Sequence, residues 1–206
     1  MDLSLAALKN AAQIYDEVYH ADATKLPLKD NSFEMIVSAD LFGHVPLGLK
    51  NNLFAEVHRV LKPGGHCIAV VEADGQNLLT AFAQKYPHLW QRYFIDKDGH
   101  IGLEPPSDVI RRFQQHHLTV RELKKHYCDI YPTFGFLRRF DNEYGDHSRV
   151  VSVLVSMCKV TEKWKWLSLI ANFFVGMFAR PFDLLVDLDR ATGLFVAVQK
   201  EQSQLE

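Results

Sequence analysis

Three short stretches decide the fold: FEMIVS at residues 33–38, LGLKNNLFAEVHRVL at 47–61 and HCIAVVE at 66–72. The first and third are runs of apolar, largely β-branched residues, preceded by the turn clusters Lys29-Asp30-Asn31-Ser32 and Lys62-Pro63-Gly64-Gly65. Runs of that length and composition between turn residues predict strands. In the middle stretch apolar residues recur at period 3.6 and stop at Pro-Gly-Gly, so it predicts a helix with a clear end. HCIAVVE is almost continuously apolar, the pattern of a strand buried on both faces of a parallel sheet. Strand, helix, strand in that order implies a right-handed crossover and an α/β layered domain.

Upstream, Ser4 is a candidate N-cap for a helix over 4–16, where Leu5, Leu8, Ala12 and Tyr15 share a face. A short strand follows at 18–21. Downstream, residues 76–94 read as helical and aromatic, and 107–117 as a helix with Ser107 at its cap. Residues 118–127 read as a strand, 148–160 and 163–188 as helices broken at Pro181, and 194–198 as a last strand. No repeat or linker divides the chain, so 1–206 is one domain with a helical insertion at about 148–190.

Composition narrows the function. Of 206 residues 48% are apolar, and 23 basic against 25 acidic residues leave a net charge of −2. This excludes wholesale disorder, and it removes the electrostatic basis for a nucleic-acid partner. Cys67, Cys128 and Cys158 form no C-x-x-C, which fits reduced thiols and a cytoplasmic setting. The first residues lack the basic start and apolar run of a signal peptide. The longest apolar run, Leu167 to Ala179, is shorter than the roughly 18 residues of a membrane span. Ten histidines are present, but none falls in H-E-x-x-H or a comparable ligand spacing, so no metal is expected.

The blocks ADATKLPLKDNSFE at 21–34, SADLFGHV at 38–45 and EVHRVLKPGG at 56–65 together resemble the class I S-adenosylmethionine-dependent methyltransferases. The likeness is strongest to the subgroup that alkylates small molecules and lipids. It implies a Rossmann-like, mostly parallel sheet whose last strand, 194–198, inserts antiparallel between 66–72 and 118–127. It also implies S-adenosylmethionine as cofactor and a small-molecule or lipid acceptor. In such sheets ligands sit beyond the carboxyl ends of the strands. The resemblance gives Asp22 the adenine amino group, the Ala23 N–H the face of the ring, and Ser38 and Leu41 the methionine part. Asp2 would hold the ribose hydroxyls; its other reading is a second cap beside Ser4.

The family's opening strand and its Gly-x-Gly-x-Gly turn have no counterpart, for no Gly-x-Gly occurs anywhere in the chain. The expectation is therefore a family member truncated at its N-terminus, with strand 33–38 left unpaired along one side unless 18–21 slides across to it. The alternative is a non-catalytic remnant or interaction module. For proton removal from an acceptor His100 is the first choice, with His44 and Glu72 on the same rim. The aromatic stripe Trp164, Trp166, Phe173, Phe174, Phe178 and Phe182 reads as core or as a lid over the sheet. A membrane-interface helix or a lipid-acceptor wall is the sharper alternative. Residues 135–144, with Arg138-Arg139, read as a solvated loop.

Overall fold

The computed structural model describes residues 1–126, 147–164 and 186–202, together with 166–167, 169–170, 173–174, 177, 181 and 184–185. Tyr127, Cys128, the 135–144 loop, Phe178, Phe182 and the Cys158 side chain lie outside the described residues.

Four strands form one sheet: β1 (Phe33–Ala39), β2 (Leu61–Glu72), β3 (Leu118–His126) and β4 (Gly193–Lys200), in the order β1-β2-β4-β3. β1 is parallel to β2, while β4 runs antiparallel to both β2 and β3. The last strand thus inserts where expected. The crossover between β1 and β2 is α2 (Lys50–Val60), which ends at the predicted stop. The Pro-Gly-Gly that stops it is not a separate turn, however. β2 already begins at Leu61, which pairs with Phe33, and the register jumps so that Met35 faces His66. Gly64, at φ 78°, supplies the left-handed residue within this bulge.

One face of the sheet makes the core. Cys67, Ala69 and Val71 of β2 and Leu194, Val196 and Val198 of β4 point into it, all at most 1% exposed. They meet α2 and α5 (Pro106–Gln115) through Phe54 and Phe113, whose rings stack edge to face at 4.7 Å. β2 is therefore buried on one face only, not on two: its alternate residues His66, Ile68 and Val70 are partly or openly exposed. A second cluster joins α3 (Leu78–Gln84), α4 (Pro87–Trp90) and α6 (Arg149–Lys163) through Ala83, Leu89, Val151 and Val155.

Several elements are shorter than the sequence suggests. α1 spans only Leu5–Ala11; Ser4 caps it as expected, its Oγ accepting the Ala7 N–H. Leu8 alone is buried in it, so nothing rewards extension to Tyr15. Residues 76–94 are split at Pro87 into α3, α4 and a π-helical turn at Gln91–Asp96. In α5 Pro106 takes the first helical position, and Ser107 is not the cap: its N–H and hydroxyl donate to Asp189 at 2.8 and 2.9 Å. Strand 18–21 is reduced to one parallel bridge, Asp2 to His20. It does not slide to β1, whose outer edge pairs with no described residue, leaving Met35 56% and Val37 72% exposed.

Candidate active site

The carboxyl ends of β1 and β2 lie side by side, and the segments that leave them carry the polar chemistry. After β1 the chain turns at Asp40, held at φ 51°, into a short 3-10 turn at Phe42–His44. After β2 comes Glu72, whose Oε2 accepts the Gly43 N–H at 3.0 Å. Its Oε1 is enclosed without a donor. Burial, and then the neighbouring Asp40 carboxyl, raise the Glu72 pKa above the ordinary carboxylate value. Two carboxyls in such contact hold a shared proton more readily than two negative charges.

Gly43 is a glycine for a steric reason. A Cβ there would lie 3.0 Å from Glu72 Cβ, 3.1 Å from Glu72 Oε2 and 3.3 Å from the His100 ring. Its size is thus what lets Glu72 and His100 converge on the turn. The His100 and His44 rings are 4.8 Å apart. His44 Nδ1 lies 3.0 Å from the Gly99 carbonyl oxygen, which can only accept, so Nδ1 carries the proton and the neutral ring keeps a lone pair at Nε2. The segment bearing His100 is pinned to the rim by the Gly102 N–H, which donates to the Gly43 carbonyl at 2.9 Å.

Beneath the rim sits a buried ionic staple. Lys50, 1% exposed, donates to the Phe42 carbonyl and lies 3.7 Å from Glu104, which also accepts from Arg112 Nε at 2.6 Å. It ties the turn after β1 to α2, α5 and the segment before α5.

The sequence-derived residues distribute as follows. His100 stands in the rim cluster. Leu41 packs against the core cluster, which also contains Ala23 and Phe42. The Ser38 hydroxyl is enclosed without a partner. Asp22 is exposed, and its Oδ1 accepts both the N–H and the hydroxyl of Thr24 at 2.8 Å, which lowers its pKa and keeps it ionised. Asp2 Oδ1 accepts the Ser4 N–H at 2.6 Å, beside the helix cap. The Asp2–His20 bridge brings Asp2 and Asp22 to neighbouring chain segments. Asp40 and Lys50 were not singled out by sequence. Asp40 stood inside a quoted block, but only the fold shows that it faces Glu72, and Lys50 lay in the expected helix without a role of its own.

The donor set fits a cationic nucleoside. An ionised carboxylate at Asp22 precedes the Ala23 N–H, which has no acceptor among the described residues. The carboxyls of Asp40 and Glu72 at the neighbouring strand ends suit positive charge. Among the described residues no three His, Cys, Asp or Glu side chains converge to hold a metal.

A mixed sheet of this order, opening its acids and imidazoles at the carboxyl rim, defines a Rossmann-like methyltransferase fold. The chain resembles the class I S-adenosylmethionine-dependent methyltransferases, and the comparisons agree. Residues 1–69 match a family described as a methyltransferase domain. Over 66 residues, 32% of this chain and 26% of the relative, it is 39% identical to the ubiquinone/menaquinone biosynthesis C-methyltransferase UbiE of Desulfotalea psychrophila. A malonyl-[acyl-carrier protein] O-methyltransferase of Marinomonas is 28% identical over 116 residues, 53% of this chain and 39% of the relative. The matched segments therefore span well under half of these curated relatives. Among solved structures, a candidate methyltransferase of Bacillus halodurans aligns over 98% of this chain and 81% of its own, at 21% identity and a TM-score of 0.54.

Proposed function

We propose that the protein transfers a methyl group from S-adenosylmethionine to a small-molecule or lipid acceptor, in the cytoplasm, where the unpaired Cys67 is chemically stable. One observation carries this reading: the carboxyl rim gathers Asp40, Gly43, His44, Glu72 and His100 at the ends of two adjacent parallel strands. Asp22, Ala23, Ser38 and Leu41 would hold the cofactor, with Asp2 nearby. The matching relatives named as quinone and acyl-carrier methyltransferases support the acceptor class.

Bound there, the cofactor supplies an electrophilic methyl on a sulfonium. This chain contributes position and a place for a proton. That methyl would pass to the acceptor's lone pair and leave the electron pair of the broken bond on sulfur, while the acceptor's proton would go to an imidazole of this chain. His100 is the proton acceptor, and His44, fixed by Gly99, packs beside it. Glu72, its pKa raised by burial and by Asp40, accepts the Gly43 N–H and holds that turn in place.

A second reading is favoured by the free edge of β1: a domain of this fold that does not turn over. Calorimetric titration with S-adenosylhomocysteine separates the two. Saturable binding that Asp22→Ala weakens by about 5- to 150-fold, the equivalent of 1–3 kcal/mol for a buried donor left unpaired, supports the enzyme. Absence of binding to the folded chain favours the second reading.

A further inference from the structure

Among its described residues, the apolar stretch after α6 is neither core nor a lid over the sheet. Every described aromatic and aliphatic side chain from Trp164 to Met177 is open to solvent, from 39% at Leu167 to 71% at Leu169. The described residues between 166 and 177 are helical. At 100° per residue Trp166, Leu167, Leu169, Ile170, Phe173, Phe174 and Met177 all fall within about 160° of one another. They therefore make one broad apolar stripe, with no charge and no hydrogen-bonding group except the indole of Trp166. Val150, Val153 and Met157 of α6 are exposed as well, at 69%, 59% and 56%.

Charge selects the occupant. Residues 149–182 hold five cations, Arg149, Lys159, Lys163, Lys165 and Arg180, against the single anion Glu162. That is +4 in a chain whose total is −2. In sequence, Lys163 and Lys165 flank Trp164 and Trp166 follows, where the apolar stripe begins. Lysine and tryptophan at the margin of a charge-free aromatic and aliphatic face is the composition of a helix lying in a bilayer interface. A protein partner would be specified by polar groups that this stripe lacks. The far end is anchored to the body of the domain: Lys125 of β3 donates to the carbonyls of Leu184 and Val186. No helix among the described residues is long and apolar enough to cross a membrane.

We infer that residues 164–177 form a peripheral membrane-binding face that lies on anionic lipid surfaces, stripe down, with the lysines among the headgroups. This inference does not depend on methyl transfer, so either can fail alone.

The 206-residue chain is tested against vesicles of phosphatidylcholine alone and of phosphatidylcholine with phosphatidylglycerol, by co-sedimentation and tryptophan fluorescence. Trp164 and Trp166 are half-exposed, so insertion shifts emission to the blue and lets brominated lipid chains quench it; Trp90, packed in the second cluster, is replaced by Phe to isolate them. The expected result is binding to the anionic vesicles, with Phe173→Glu lowering the partition coefficient by about tenfold or more, as burial of one aromatic side chain implies. Lys163→Glu with Lys165→Glu should lower it for anionic vesicles only. Phe173 is 67% exposed, and unchanged thermal unfolding of each variant checks the fold. Failure to bind either vesicle, binding without quenching, or binding indifferent to Phe173→Glu overturns the inference. So does a concentration-dependent dimer that Phe173→Glu abolishes, which would make the stripe a contact between copies.

Discussion

Removal of Lys50 tests how the rim is held up. Its ammonium is almost wholly buried, and desolvation lowers its pKa against the opposing pull of Glu104. Lys50→Met keeps the stem's volume and deletes the charge. Two consequences follow. The Phe42 carbonyl keeps the Val45 N–H at 3.3 Å but loses its charged donor, a hydrogen bond of about 1.5–3 kcal/mol. Glu104 does not become an orphan, because Arg112 Nε still donates to it at 2.6 Å. The relief of lysine desolvation offsets part of the loss, so Lys50→Met should destabilise the chain by about 1–2 kcal/mol.

Glu104→Gln is the informative contrast. It leaves both Lys50 and Arg112 charged around a neutral amide, and breaking a buried pair from this side costs about 3–5 kcal/mol. Urea unfolding followed by circular dichroism measures both, and the double variant gives the coupling. The expected order is Glu104→Gln well below Lys50→Met in stability, with the double variant close to Lys50→Met. If Lys50→Met proved neutral or stabilising, the staple would be a desolvated charge that the fold merely tolerates. The turn at Phe42–His44 would then owe its position to packing alone.

Two further outcomes concern pH. The Glu72 pKa is raised in the folded chain above its ordinary 4.5, so between 4.5 and the raised value the folded state binds more protons than the unfolded one. Stability should therefore fall as pH rises through that window, and Glu72→Gln, read by thermal unfolding across pH, should flatten the fall; an unchanged profile refutes the assignment. His58 and His116 shift the other way. Burial first, then Lys200 for His58 and Arg112 for His116, hold them below the ordinary 6.5. The unfolded chain then takes up protons first on acidification, so stability is lost as pH falls below about 6.5. His58→Asn with His116→Asn should lessen that loss.

Much of the fold was legible because three stretches carried period and punctuation together. β1, α2 and β2 were set by two apolar runs and one helix stop, and the insertion of β4 between β2 and β3 followed the resemblance. What was not legible is tertiary. That β2 is buried on one face depends on what covers the sheet, and HCIAVVE reads the same in either case. That α1 stops at Ala11 depends on Leu8 alone finding a cavity. The site was partly legible: His44, Glu72 and His100 were placed on one rim. Asp40, Gly43 and Lys50 gained meaning from the acids Glu72 and Glu104, 29 to 54 residues away in sequence, where no local pattern reaches.

The two ends of the sheet show why the rim is the place for chemistry. At the end opposite the rim, Lys200 is also largely buried, yet its ammonium donates to Asn31 Oδ1 and to the carbonyls of His58 and Leu61, at 2.8 to 2.9 Å. Every proton it carries has an acceptor, and it closes the end of α2. At the rim, by contrast, Ser38 Oγ and Glu72 Oε1 are enclosed without partners, on strands that are hydrogen-bonded neighbours. Left-handed backbone does not separate the two ends: Asp40 adopts it at the rim, and Asn31 and His117 adopt it at the other. A fold that satisfies a buried lysine completely at one end has the means to satisfy a serine and a glutamate at the other. Buried oxygens left unpaired in one small region are the mark of a surface shaped for a ligand. The unpaired oxygens and the adjacent carboxyls favour a donor or a cation, which is the charge that a sulfonium centre would bring.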